Sequence, residues 1–194
     1  MKQSDKTRRT HQLLAGSVML SLLLMIRGAQ AETYNLATTI LVGTCTVTAS
    51  DSAVTLPDVE RDMLSSGTLQ KLHPLTLSAQ NCVGVGGKGT APVLLVSGTT
   101  ATAPAGTGAY LFNNGGANST AKGYGIVVST KNDTTWNTLN LLKNGDEFPL
   151  SDINTNNTLY VAVGCGDAAT CSLNDADHTP GSISAGITFT FQYQ

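Results

Sequence analysis

Gly186-Ile187-Thr188-Phe189-Thr190-Phe191-Gln192-Tyr193-Gln194, the last nine residues, alternate without a break. Ile187, Phe189, Phe191 and Tyr193 fall on one face of an extended strand. Thr188, Thr190, Gln192 and Gln194 fall on the other. A period of two means that one face meets an apolar interior and the other meets water.

Upstream, the same signal recurs in short runs. Tyr34 to Val47 is rich in β-branched residues, Ala53 to Leu56 is short and stops at Pro57, and Leu75 to Ala79 alternates into Cys82. Val93 to Val96, Tyr124 to Val128 and Leu159 to Val163 are continuous apolar runs, the pattern of strands buried on both faces. Ile183 to Tyr193 closes the chain. Turn residues separate these runs at Gly84–Gly89, Ala103–Gly108, Asn113–Asn118 and Asn144–Asp146, where glycine and asparagine accept positive φ. The helix-compatible piece Val59–Leu64 is one or two turns at most. Many short strands punctuated in this way predict an all-β sandwich with no second domain.

The first residues stand outside that pattern. Lys2, Lys6, Arg8 and Arg9 precede the apolar stretch Leu13–Ile26, and Ala29-Gln30-Ala31 follows as a small–x–small site. This is the three-part layout of a secretory signal peptide over 1–31. The apolar stretch is shorter than the roughly 20 residues that span a bilayer. Cleavage after Ala31 leaves a single domain over 32–194, with Arg61 and five lysines against twelve carboxylates. Such a chain offers no basic patch, so nucleic acid is a poor partner.

All four cysteines lie in the exported part, where an even count implies disulfides. Four cysteines allow three pairings. Cys165 and Cys171 can close a small loop across GDAAT, which leaves Cys45 with Cys82. Chain entropy assigns the longer loop about 4 kcal/mol and the shorter about 2 kcal/mol. Zinc would need CxxC-like or His-paired spacing, which is missing. Asp58, Glu60 and Asp62 have neither the glycine nor the terminal glutamate of a calcium loop and read as a solvated acidic segment. No GxSxG elbow is present, His73 and His178 sit in no motif, and VGVGGKG lacks what a phosphate loop requires after it. The expectation is no enzyme, no cofactor and no metal.

An immunoglobulin-like sandwich needs one more strand after such a terminal run, to cover its core and pair its edge. Taken with the Cys45–Cys82 segment (TCTVTASDSAVTLPDVERDMLSSG, then PLTLSAQNC), the NNGG loop before GYGIVV and the penultimate Tyr193, the sequence resembles the fimbrial (pilin) subunits of the chaperone–usher pathway, including those of type 1 pili. The resemblance covers essentially all of 32–194. It implies an incomplete immunoglobulin-like β-sandwich lacking its last strand and completed by donor-strand exchange. A periplasmic chaperone first fills the groove, and during assembly at an outer-membrane usher the next pilin's N-terminal extension replaces it. On that resemblance Ile187, Phe189, Phe191 and Tyr193 line the acceptor groove and the chaperone contact. Tyr34, Leu36, Thr38 and Ile40 are the inserting residues of a donor segment over about 32–41.

The sequence departs from the family in this arm, which is short and has Thr38 or a neighbour where a glycine is usual. Two readings follow: a minor or adaptor subunit with a short arm, or a tip-most subunit whose arm is ordinary first-strand sequence. The first is preferred. The expected function is a structural subunit of a surface fimbrium supporting cell adhesion. The alternative is a single-domain tip adhesin binding a host glycan or matrix protein, with Tyr110 and Trp136 as the candidate stacking residues.

Overall fold

Alternation and β-branched content become two antiparallel sheets. The computed structural model describes residues 43–84, 86–88, 90–103, 106–171 and 176–194, and the expected signal peptide (1–31) and donor segment (about 32–41) lie outside them. Eight strands occur among the described residues: β1 (Thr44–Ala49), β2 (Gln70–Val83), β3 (Pro92–Gly98), β4 (Gly125–Ser129), β5 (Leu141–Leu142), β6 (Glu147–Pro149), β7 (Asn156–Gly164) and β8 (Ile187–Tyr193). One sheet has the order β1-β2-β7-β4-β5 and the other β6-β3-β8. The only α-helix among the described residues is the single turn α1 (Arg61–Leu64). The architecture is all-β, with two facing sheets.

The main core lies between the sheets. Leu75, Leu77, Leu159 and Val128 from the first sheet meet Leu94, Val96 and Phe191 from the second, around Phe112. Each large side chain buried there contributes about 1.5–3 kcal/mol. Val127 and Ala162, which pair across β4 and β7, point the opposite way and join Leu69, Leu111 and Leu141 in a smaller core on the outer face. Loop residues Ala101, Ala103, Tyr110 and Trp136 cover it. This second layer explains why Tyr124–Val128 and Leu159–Val163 read as unbroken apolar runs: both faces are buried.

β2 runs beyond Leu75–Ala79 at both ends and carries two irregularities. Its register shifts opposite Thr44/Thr46 and again between Gln70 and His73, and a positive-φ residue sits at each, Asn81 (51°) and Lys71 (57°). An extra residue in one strand of a pair produces such a bulge and increases the local twist. The Cys45–Cys82 disulfide bonds β1 to β2 at the first of them.

The strand expected across Ala53–Leu56 does not form. Ser50 N–H donates to Thr76 O at 2.8 Å, and beyond it the chain leaves the sheet with no strand beside it. Val54 and Leu56 still lean on the core between exposed neighbours, so the alternation is present without a ladder. Strands β5 and β6 were not anticipated, being two and three residues long.

Candidate functional site

β8 stands at the end of its sheet. It pairs with β3 over its whole length, from Gly98 opposite Ile187 to Pro92 opposite Tyr193. Gln194 and Ala91 exchange both backbone hydrogen bonds, with Gln194 N–H donating to Ala91 O at 2.9 Å. In an antiparallel ladder such pairs recur at every second residue. Even-numbered residues therefore direct N–H and C=O towards β3, and odd-numbered ones direct them to the far edge. Among the described residues, no strand pairs with that far edge.

The side chains of the odd-numbered residues face inward. Phe191 is buried, and Ile187, Phe189 and Tyr193 are half-buried against the main core. Tyr193 meets Phe191 edge to face, ring centres 5.0 Å apart. It also lies where a β-carbon on Gly86 would come within 2.6 Å of its ring, so glycine at 86 leaves room for it. On the wet face, Gln192 Nε2 donates to Glu147 Oε1 at 2.8 Å and Gln194 Nε2 donates to the same oxygen, tying β8 to β6 across β3.

β1, at the edge of the other sheet, comes alongside β8. Where β1 ends, a cavity of about 930 Å³ opens between the 51–59 segment and residues 180–189. Val54, Leu56, Leu75, Ile126, Val161, Ile187 and Phe189 form its apolar part, and Asp51, Asp58, Arg61, Ser182 and Ser184 are among its polar lining residues. Its far end is a separate cluster of Leu64, Ala121, Tyr124 and Val163, on which Ile183 leans. Arg61 Nε donates to Tyr124 Oη there at 3.2 Å. Behind this end lie Cys165 and Cys171, disulfide-bonded and buried. Their loop is ordered by Asp167, whose Oδ1 accepts from Thr170 Oγ1 at 2.8 Å, Thr170 N–H at 2.8 Å and Ala169 N–H at 3.0 Å. Those bonds, Thr170 first, hold the Asp167 carboxyl below the ordinary carboxylate range, against a small opposing cost of burial. Gly67, at φ 71°, passes so close to this loop that a β-carbon would lie 2.5 Å from Ala168 N.

Of the residues singled out from sequence, Ile187 and Phe189 line the cavity, while Phe191 and Tyr193 continue the same face past its end. Tyr34, Leu36, Thr38 and Ile40 lie outside the described residues. Trp136 and Tyr110 are half-buried and pack edge to face at 6.1 Å over the outer core. His178 is buried with its ring edge to face on Tyr124 at 5.4 Å, and His73 lies 3.6 Å from Asp51 on the surface. Among the described residues no group of three or more His, Cys, Asp or Glu is placed to hold a metal ion. Sequence reasoning missed Val54, Leu56, Leu64 and Ile183 as lining residues. The first two carried a signal in their alternation, but it was taken for an ordinary strand.

A sequence model of the family described as Fimbrial protein matches residues 34–194. No curated protein sequence matches the chain. Among solved structures, the P pilus rod subunit PapA is similar at 21% identity, over 84% of this chain and 99% of that one, with a TM-score of 0.51. A chaperone–usher pilus structure described for rod uncoiling is similar at 19% identity, over 88% of this chain and 99% of that one, with a TM-score of 0.46.

Proposed function

The chain belongs to the family of fimbrial proteins, and from that premise we propose that it is a chaperone–usher subunit that completes its sandwich with a β-strand taken from another molecule. A fimbrial protein is a structural component of a surface fimbrium. The observation that carries the finer reading is the far edge of β8: a row of backbone donors and acceptors with which no strand pairs among the described residues, along a cavity whose lining includes Ile187 and Phe189. An exposed edge over an exposed apolar cleft favours pairing with any extended segment that fits. A strand added there satisfies the backbone groups and seats alternate side chains in the cleft. Each large apolar side chain seated contributes about 1.5–3 kcal/mol. Several in series hold subunits together without a covalent bond.

In this reading residues 1–31 direct export and are removed. A periplasmic chaperone protects the edge until the usher joins the subunit to its neighbour, and residues 32–41 form the subunit's own donor segment. Tyr34, Leu36, Thr38 and Ile40 insert into the next subunit, while Ile187, Phe189, Phe191 and Tyr193 receive. The adhesin reading takes no support from Tyr110 and Trp136, which are engaged with each other and with the outer core.

The test is to refold the oxidised chain 32–194 with and without a synthetic peptide of residues 32–43. Soluble, cooperatively melting material is expected in quantity only with the peptide. A stable monomer formed equally well without it, and indifferent to its addition, overturns the proposal.

A further inference from the structure

The inward alternation of β8 does not stop where β8 stops. Ile183 leans on the far-end cluster and Ala185 on the main core, so 183, 185, 187, 189, 191 and 193 form one inward-facing series. The ladder with β3, in contrast, ends at Ile187. Before that point the even-numbered residues find other partners. Gly186 N–H donates to Asn114 Oδ1 at 3.0 Å, and Ser184 N–H to Ser119 Oγ at 3.0 Å. Ser184 O accepts from Asn114 N–H at 2.8 Å, Ser182 N–H donates to Thr120 Oγ1 at 3.1 Å, and Ser182 O accepts from Ala121 N–H at 3.0 Å. Every one of these bonds belongs to an even-numbered residue, on the edge that β3 occupies further along.

The loop 113–121 thus continues β3 with side chains at Asn114, Ser119 and Thr120 and with the backbone N–H groups of Asn114 and Ala121. It is itself held by Asn113, which is buried. Asn113 Nδ2 donates to Tyr124 O at 3.0 Å, and its Oδ1 accepts from Gly115 N–H at 2.9 Å and from Ser119 Oγ. The odd-numbered residues Ile183 and Ala185 turn their backbone groups to the opposite side, where no hydrogen bond meets them among the described residues. That side borders the cavity.

We infer that the strand-accepting edge runs over residues 182–193 rather than β8 alone, and that Asn114, Ser119 and Thr120 are positioning residues that hold its first third in strand register. The partner it fits is an extended segment of about twelve residues at roughly 3.3 Å each, apolar at alternate positions. Residues 32–43 of a second copy have that length and, at Tyr34, Leu36 and Ile40, that alternation. The inference rests on the strand-accepting reading of the groove and lengthens it.

Amide hydrogen exchange tests it on the oxidised chain 32–194 refolded with the synthetic 32–43 peptide. The amides of Ile183 and Ala185 are expected to be slowed at least about a hundredfold relative to unstructured amides, together with those of 187, 189, 191 and 193. Asn114→Ala, a change at an exposed position, should release Ile183 and Ala185 while 189–193 keep their protection. Asn114→Asp, which retains the acceptor for Gly186 N–H, should restore it. Protection confined to 187–193 overturns this inference and leaves the general reading standing. An Asn114→Ala variant that loosens all six amides equally overturns the positioning role. No protection at any of the six odd-numbered amides from 183 to 193 overturns the strand-accepting reading itself.

Discussion

The two faces of the β4–β7 pair have opposite fates. On the outer face, Val127 and Ala162 are sealed by loops of the same chain, with Tyr110 and Trp136 as the lid. On the inner face towards β8, Ile126 and Val161 border a cavity, and Val54, Leu56, Ile187 and Phe189 around it are only half-buried. Val127 and Ala162 on one face and Ile126 and Val161 on the other are all apolar. The difference is that loops of the same chain cover one side, whereas on the other no strand pairs with the far edge of β8 among the described residues.

The most severe way to break the comparison is a charge on the open side. Phe191→Asp places an unpaired carboxylate at a buried position, a cost of several kcal/mol against a total stability of about 5–15 kcal/mol. No folded product is expected on refolding with the 32–43 peptide, as judged by soluble yield, and Phe189→Asp should approach the same result. Next is the closed flank of the opening. Replacing Cys45 and Cys82 by serine should cost about 2–5 kcal/mol, seen as a lower melting temperature of the peptide complex. An unchanged melting temperature would show that β1 is held by its ladder alone.

The comparison is sharpened by a pair of milder changes. Trp136→Ala should destabilise by about 2 kcal/mol, less than a fully buried tryptophan would, because it is half-buried. That loss should be the same with any donor peptide. Ile187→Ala should instead weaken peptide binding, by about tenfold for about 1.4 kcal/mol of lost contact. If Trp136→Ala alters peptide affinity as much as Ile187→Ala does, the two faces are not independent. The smallest effect concerns acid. The Asp167 carboxyl is held below its ordinary range by Thr170, so its support of the loop behind the cavity's far end is complete above about pH 4 and fades as pH falls through the lowered value. Asp167→Asn should remove that dependence in acid melts and leave neutral-pH behaviour nearly unchanged.

The β-class and the inward face of the last strand were legible because alternation is a local property of the chain. Ile187, Phe189 and Phe191 declare it directly, and the Ile183–Tyr193 reading even caught the continuation beyond β8 that the ladder obscures. What was not legible depends on neighbours. Ala53–Leu56 alternates as a strand does but has nothing beside it to pair with, and sequence carries no mark of a missing neighbour. Leu64 and Ile183 meet only because α1 and the 179–186 segment converge from distant parts of the chain. Trp136 looked like a surface aromatic because its cover for Val127 and Ala162 is a tertiary event.

The partners in the second sheet are far apart along the chain: Pro92 lies opposite Tyr193, about a hundred residues on. Contacts of that separation close slowly, because a long loop must be ordered before any bond repays it. β3 can meet β6 sooner, about fifty residues on, but its other edge waits for the more distant β8. The interval of greatest aggregation risk is therefore the one in which that apolar edge of β3 is uncovered, before β8 docks against it.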